Sequence, residues 1–166
     1  MASGRKPVIV RKFSRDWIAG YAGASLDGPE LEILDTSGKV LRIGWEQVKW
    51  VCYVRDLPST ASDQGNPERF ARKTFSVRPR TSGVLMRMTL ADGDEIEGLA
   101  ANDVSLVSST GLMLTPPDTR SNTQRIFVPR QAIQSLEVIS LIGVAKKRVA
   151  DAVESEQPDL FAKDQE

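Results

Sequence analysis

Histidine is absent from this chain, and cysteine occurs once, as Cys52. Without histidine, a Ser-His-Asp or Cys-His nucleophile system is excluded within the chain. Imidazole metal sites are excluded with it, and one thiol builds neither a thiolate cluster nor an internal disulfide framework. Cys52 therefore reads as a thiol on a strand face. No glycine-rich phosphate loop is present, so catalysis lacks a recognisable constellation, and neither enzymatic activity nor a cofactor is expected. Aromatic residues are few, at 6%. No window approaches the ~20 apolar residues of a membrane span. The opening Met1-Ala2-Ser3-Gly4-Arg5-Lys6-Pro7 is not followed by the apolar core of a secretory signal. The expectation is a cytoplasmic protein with no membrane span. Surplus charge is missing too: 22 basic residues balance 22 acidic ones. Net charge then argues neither for nor against nucleic acid, and only its local distribution bears on partners.

What is present is a recurring pattern of short apolar runs broken by turn residues. With 166 residues, 40% of them hydrophobic, the chain suits one medium domain or two small ones. Val8-Ile9-Val10-Arg11-Lys12-Phe13 reads as a strand, Ser14-Arg15-Asp16 as a turn, and Trp17-Ile18-Ala19-Gly20-Tyr21 as the returning strand. Later, Val84-Leu85-Met86-Arg87 turns at Asp92-Gly93 and returns through Glu95-Ile96-Glu97-Gly98-Leu99. Each copy has an apolar triplet, an arginine, a hairpin and then Ile-x-Gly. A glycine inside each returning strand suggests a bulge or a bend where the sheet curls. The parallel continues. Leu31-Glu32-Ile33-Leu34 matches Leu112-Met113-Leu114, and Val40-Leu41-Arg42-Ile43-Gly44 matches Arg125-Ile126-Phe127-Val128-Pro129. Gln47-Val48-Lys49-Trp50-Val51 matches Ala132-Ile133-Gln134-Ser135-Leu136, after a step that fits one 3₁₀ turn.

The fold expected is mainly β. It comprises two tandem, pseudo-equivalent, small five-stranded barrels of the SH3-like or Sm-like layout. Their limits are 7–57 and 83–142. Between them, 58–82 is a linker with a basic segment, broken by Pro58, Gly65, Asn66 and Pro67. Such a long connection is either a mobile linker or a functional segment that docks Phe70 and Phe75. The remainder, 143–166, reads as a marginal short helix, with Val144, Arg148, Val149, Ala152 and Val153 on one side, and then a disordered acidic tail.

Two segments are candidate contact surfaces. Arg69, Arg72, Lys73, Arg78 and Arg80 form a local positive stripe beside Phe70 and Phe75, with no acid between Glu68 and Arg87. Arginine forks suit phosphate, and phenylalanine faces can stack bases. The second copy replaces the tight Asp35-Thr36-Ser37-Gly38 turn by a longer loop over 115–123, and with the strand after it this segment carries Asp118, Arg120, Asn122, Gln124 and Arg125. Extra loop length on one of two equivalent scaffolds is where function tends to be added. Trp45, Trp50 and Tyr53 form an aromatic group that serves either a contact or the core. Asp92, Asp94, Glu95 and Glu97 lie at or after a hairpin tip and read as solvated.

The run from Val48 through Arg55-Asp56 resembles an uncharacterised bacterial family whose members occur alone or beside PilZ domains. Arg72-Lys73-Thr74-Phe75, Arg78-Pro79-Arg80, Ala100-Ala101-Asn102-Asp103 and the 115–125 loop share that resemblance. It covers about residues 8–142 and implies no activity. PilZ domains bind cyclic di-GMP through an arginine-rich segment and an Asp/Asn-x-Ser-x-x-Gly stretch. Here Asp103-Val104-Ser105 starts such a stretch, but Ser108 stands in the glycine's place. The function expected is a non-enzymatic adaptor or regulatory module that engages a protein partner. The alternative is a phosphate ligand, RNA or a cyclic dinucleotide, held by the 69–80 segment. Edge strands would also allow a homodimer.

Overall fold

The computed structural model describes residues 4–23, 25–58, 66–69, 72–107, 110–118 and 120–143. Ten strands form one antiparallel sheet: β1 Lys6–Lys12, β2 Trp17–Ala22, β3 Glu30–Asp35, β4 Val40–Gly44, β5 Val48–Val54, β6 Gly83–Leu90, β7 Glu95–Ala100, β8 Gly111–Thr115, β9 Thr123–Pro129 and β10 Ile133–Ile142. The strands fall where the alternating runs predict them. One-turn 3₁₀ helices precede β5 (Trp45–Gln47) and β10 (Arg130–Ala132), as expected, and a third spans Val104–Val107. The turn before β4 is closed by the Asp35 carboxylate, which accepts from the Ser37 and Lys39 amides at 2.9 and 2.8 Å. Among the described residues no helix is long and apolar enough to cross a membrane. The helix and tail expected over 143–166 lie, beyond Gly143, outside the described residues, as does Phe70.

The strand order is β10-β6-β7-β8-β9-β5-β1-β2-β3-β4. Each half has the same internal order, with its fifth strand on its first, and β9 joins the halves by pairing with β5. The equivalence extends to single residues. Ile33 opposes Leu41 as Leu114 opposes Ile126. Lys49 is skipped in the β1–β5 register, and Gln134 in the β6–β10 register. These are the positions that the repeat aligns. Gly20 opposes Val8, and Gly98 opposes Met86. That frame makes Thr89, not Arg87, the counterpart of Arg11, so the apolar-triplet-plus-arginine match slips by two residues. The slip arises because Val84-Leu85-Met86 lies two residues farther from its hairpin than Val8-Ile9-Val10 does.

Neither shared glycine sits at a register shift. Each instead lets the next strand approach closely. A Cβ on Gly20 would lie 2.5 Å from the Leu34 carbonyl oxygen and 2.6 Å from Ile33 Cγ2. A Cβ on Gly98 would lie 2.7 Å from Leu114 Cδ1. Ile33 and Leu114 are themselves equivalent positions, so the same crossing recurs in both halves.

Two cores result, on opposite faces of the central strands. On β5, Trp50, Cys52 and Val54 enter a core shared with Met86, Met88, Leu90, Ile96, Leu114 and Ile126. Val48, Val51 and Tyr53 enter the other core with Val8, Val10, Leu31, Ile33 and Phe127. Every residue of β5 is buried. Burying each of its large apolar side chains contributes about 1.5–3 kcal/mol. The aromatic group is thereby divided: Trp50 faces one core, whereas Tyr53 and the half-buried Trp45 belong to the other. Trp45 packs on Phe127 with ring centroids 5.7 Å apart and donates its Nε1–H to the Gly28 carbonyl at 2.9 Å.

Candidate functional site

The connection between the halves is tied down at three points. The first is Glu68, which is only 2% exposed. Its carboxylate accepts from Arg11 Nε at 2.9 Å and from the Trp50 indole at 3.2 Å. The Glu68 carbonyl accepts from the Thr123 hydroxyl at 2.8 Å. A carboxylate is held in a sheet interior only when paired and hydrogen-bonded, and both conditions are met here. Cys52 lies beside this group. Burial pushes its thiol well above the ordinary range, and the Glu68 charge adds to the shift, while Thr123 and Arg11 oppose it. Such a thiol stays protonated and unreactive near neutral pH.

The second tie is Asn122. Its amide donates to the carbonyls of Asp56 and Pro67 at 2.9 and 3.2 Å, and its side-chain oxygen accepts from the Asp56 amide at 3.0 Å. The third is Glu97, which is buried and accepts from the Phe75 amide at 2.8 Å and from the Arg87 guanidinium at 2.8 Å. Its own amide donates to the Lys73 carbonyl at 2.7 Å. Phe75 packs against Leu85, Leu99 and Ile142, as a docked segment requires. The expectation of a solvated Glu97 is therefore corrected, because the docked 73–75 backbone covers it; Glu95 is exposed.

The hairpin acids Asp92 and Asp94 keep contact with solvent, as expected, but are also paired. Both receive the ammonium of Lys49, which is buried in β5 and lies 4.8 Å from the Trp50 ring centroid. Lys73 reaches Asp94 at 3.0 Å. The Lys49 hydrogen bond holds Asp94 below its ordinary value, against the opposing effect of burial. One signal in the sequence pointed here: a single lysine inside an otherwise apolar strand needs acid partners. Asp103-Val104-Ser105 forms a capped turn, in which the Asp103 carboxylate accepts from the Ser105 amide at 2.8 Å.

The ten contact candidates are dispersed. Arg69 is exposed with φ 50°, and its amide closes a turn onto the Asn66 carbonyl at 3.0 Å. Arg72 and Arg80 are exposed. Arg78 reaches the Leu141 carbonyl at 3.5 Å, at the end of β10. Asp118 accepts from the amide of the exposed Arg120 at 3.1 Å. Gln124 and Arg125 are exposed and line a hollow with Lys6, Tyr53 and Met113.

Strand β10 closes one end of the sheet, and among the described residues nothing pairs with its outer side. Leu136, Val138 and Leu141 lie directly opposite Met88, Met86 and Val84. Opposed residues of an antiparallel pair share a face. They therefore continue the apolar face of the C-terminal core into solvent, with exposures of 44%, 54% and 65%.

Residues 4–140 match the profile of DUF6982, a family of unknown function, and the chain belongs to that family. No curated protein and no solved structure matches it.

Proposed function

We propose that this DUF6982 member is a non-enzymatic adaptor or regulatory module, and that its protein partner adds an extended strand to the outer edge of β10. The observation that carries the reading is the character of that edge. Natural sheets blunt exposed edges with lysine and other charges, proline, bulges or very short strands. Strand β10 carries one charge, Glu137, and two register shifts. The ten residues of β10, Ile-Gln-Ser-Leu-Glu-Val-Ile-Ser-Leu-Ile, contain neither lysine nor proline, whereas the opposite edge, β4, has five residues. Strand addition draws affinity from main-chain hydrogen bonds and specificity from alternate side chains. Leu136 and Val138 would supply the second. Arg78 at the end of β10, with Arg72 and Arg80 on the same docked segment, favours a partner strand with acidic flanks.

Two finer readings accompany it. The halves are duplicated small five-stranded barrels of SH3-like or Sm-like layout, supported by the equal strand orders and equivalent skipped residues. The module acts in the cytoplasm, in the manner of the PilZ-associated proteins that it resembles.

The test is capture from native lysate on the tagged full chain, identification of the bound protein, and hydrogen exchange of the purified complex. The parallel variant is Leu136→Lys with Val138→Lys, at two exposed positions, its fold checked by thermal unfolding. An identified protein that protects β10 amides and is lost in the variant supports the proposal. Capture unchanged by the variant overturns it. Nuclease-sensitive material in place of a protein overturns it in favour of the phosphate-ligand reading, and self-association abolished by the variant would make the partner a second copy.

A further inference from the structure

We infer that the hollow in the middle of the sheet binds the phosphate group of a small molecule of mononucleotide size. The hollow has a volume of about 540 Å³, inside the roughly 300–1,000 Å³ range of small-molecule sites. Its lining comes from four strands that are neighbours in the sheet: Lys6 on β1, Tyr53 on β5, Gln124 and Arg125 on β9, and Met113 on β8.

The placement has a local cause. Tyr53 opposes Arg125 and Val54 opposes Thr123, so Gln124 is skipped in the register. A bulge of this kind re-aims a side chain that regular alternation would send to the other face. It brings Gln124 to the hollow beside its neighbour Arg125.

The chemistry is one-sided. Lys6 and Arg125 supply two positive charges, Gln124 and Tyr53 supply neutral donors, and among the described residues no acid lines the hollow. An arginine fork with a second cation suits the tetrahedral oxygens of phosphate. Met113 offers a soft apolar wall for whatever carries the phosphate. None of the four polar side chains makes a hydrogen bond or an ion pair with any described residue. Tyr53 is only 8% exposed as a residue, but its hydroxyl is not a buried atom and opens into the hollow, where it can donate to a ligand oxygen in place of water. Burial also raises its pKa, so the hydroxyl stays a donor at neutral pH. Elsewhere, the buried side chains of Glu68 and Thr123 are engaged within the protein. The site is independent of β10, which lies at the end of the sheet.

The test is a titration of the ¹⁵N-labelled full chain with adenosine monophosphate, inorganic phosphate and adenosine, repeated on Arg125→Ala and Tyr53→Phe. Saturable amide shifts at Lys6, Tyr53, Gln124 and Arg125 are expected with the monophosphate, weaker ones with phosphate, and none with adenosine. Arg125→Ala, at an exposed position, should weaken the monophosphate by about tenfold or more, and Tyr53→Phe by several-fold. The inference is overturned by absence of saturation with both phosphates, by shifts elsewhere in the chain, by equal affinity in Arg125→Ala, or by adenosine binding as tightly as its monophosphate.

Discussion

Replacing Glu68 by alanine should be among the most damaging single changes outside the apolar cores. The substitution removes the carboxylate that accepts from Arg11 at 2.9 Å and from the Trp50 indole at 3.2 Å. Breaking a buried ion pair from one side costs about 3–5 kcal/mol, because the remaining charge is left uncompensated. Arg11 keeps 19% of its side-chain surface exposed, so water recovers part of that loss. The unpaired indole adds the desolvation of one donor, and the expected total is about 2–4 kcal/mol. Against a typical stability of about 5–15 kcal/mol this is a large fraction. In a chain of this length a loss of ~3 kcal/mol lowers Tm by about 6–12 °C. Equilibrium urea unfolding should show a lower midpoint with a nearly unchanged slope, since the change removes an interaction and exposes little new surface. Glu68→Gln keeps an acceptor and should lose less. The double variant Arg11→Met with Glu68→Leu should recover much of the loss, because replacing both charges with apolar groups is often neutral. A stability of Glu68→Ala within about 0.5 kcal/mol of the parent would refute the reasoning, as surface substitutions behave that way. It would mean that residues 66–69 are not closed over the sheet in solution.

The two equivalent glycines should respond unequally. Gly20→Ala drives a Cβ to 2.5 Å from a backbone carbonyl, whereas Gly98→Ala meets the Leu114 side chain. Thermal unfolding should show a loss of about 3 kcal/mol or more at Gly20 and about 1–2 kcal/mol at Gly98, and equal losses would contradict the distinction. The Lys49 cluster predicts a pH effect. Asp94 is depressed below its ordinary value of 3.8, first by the Lys49 hydrogen bond. Its stabilisation is therefore present above that value and is lost as pH falls through the depressed one. Asp94→Asn should cost less than about 1 kcal/mol at neutral pH, because the group is partly solvated. It should also flatten the loss of urea midpoint between about pH 5 and pH 2. An unchanged acid dependence would remove Asp94 from that role.

Much of the local structure was legible in the sequence. Alternation in Val84-Leu85-Met86 and the turn chemistry of Asp35-Thr36-Ser37-Gly38 and Asp92-Gly93 act over a few residues, and the strands and one-turn helices follow them. The paired glycines were visible too, although their purpose is a close strand crossing instead of a bulge. The polar groups were less legible. Glu68 beside an arginine run looks like a solvated acid, and only the approach of Arg11 and Trp50, distant in the chain, makes it an internal one. In the sequence Lys6 stands in the opening segment with no role assigned, and Tyr53 is open between a contact and the core. Their meeting with Arg125 and Gln124 depends on a register skip between strands about 70 residues apart in the chain.

The sequence by itself determined which segments are strands, where each turns, and that the second half repeats the first. These properties reside in periods of two residues and in the φ/ψ preferences of turn residues. Only the tertiary structure decided that β9 pairs with β5, so that two halves share one sheet and the central strands bury both faces. It also decided which charges are covered and which edge is left open. Such outcomes depend on long-range pairing, where the closing of the chain selects among many locally equivalent strands.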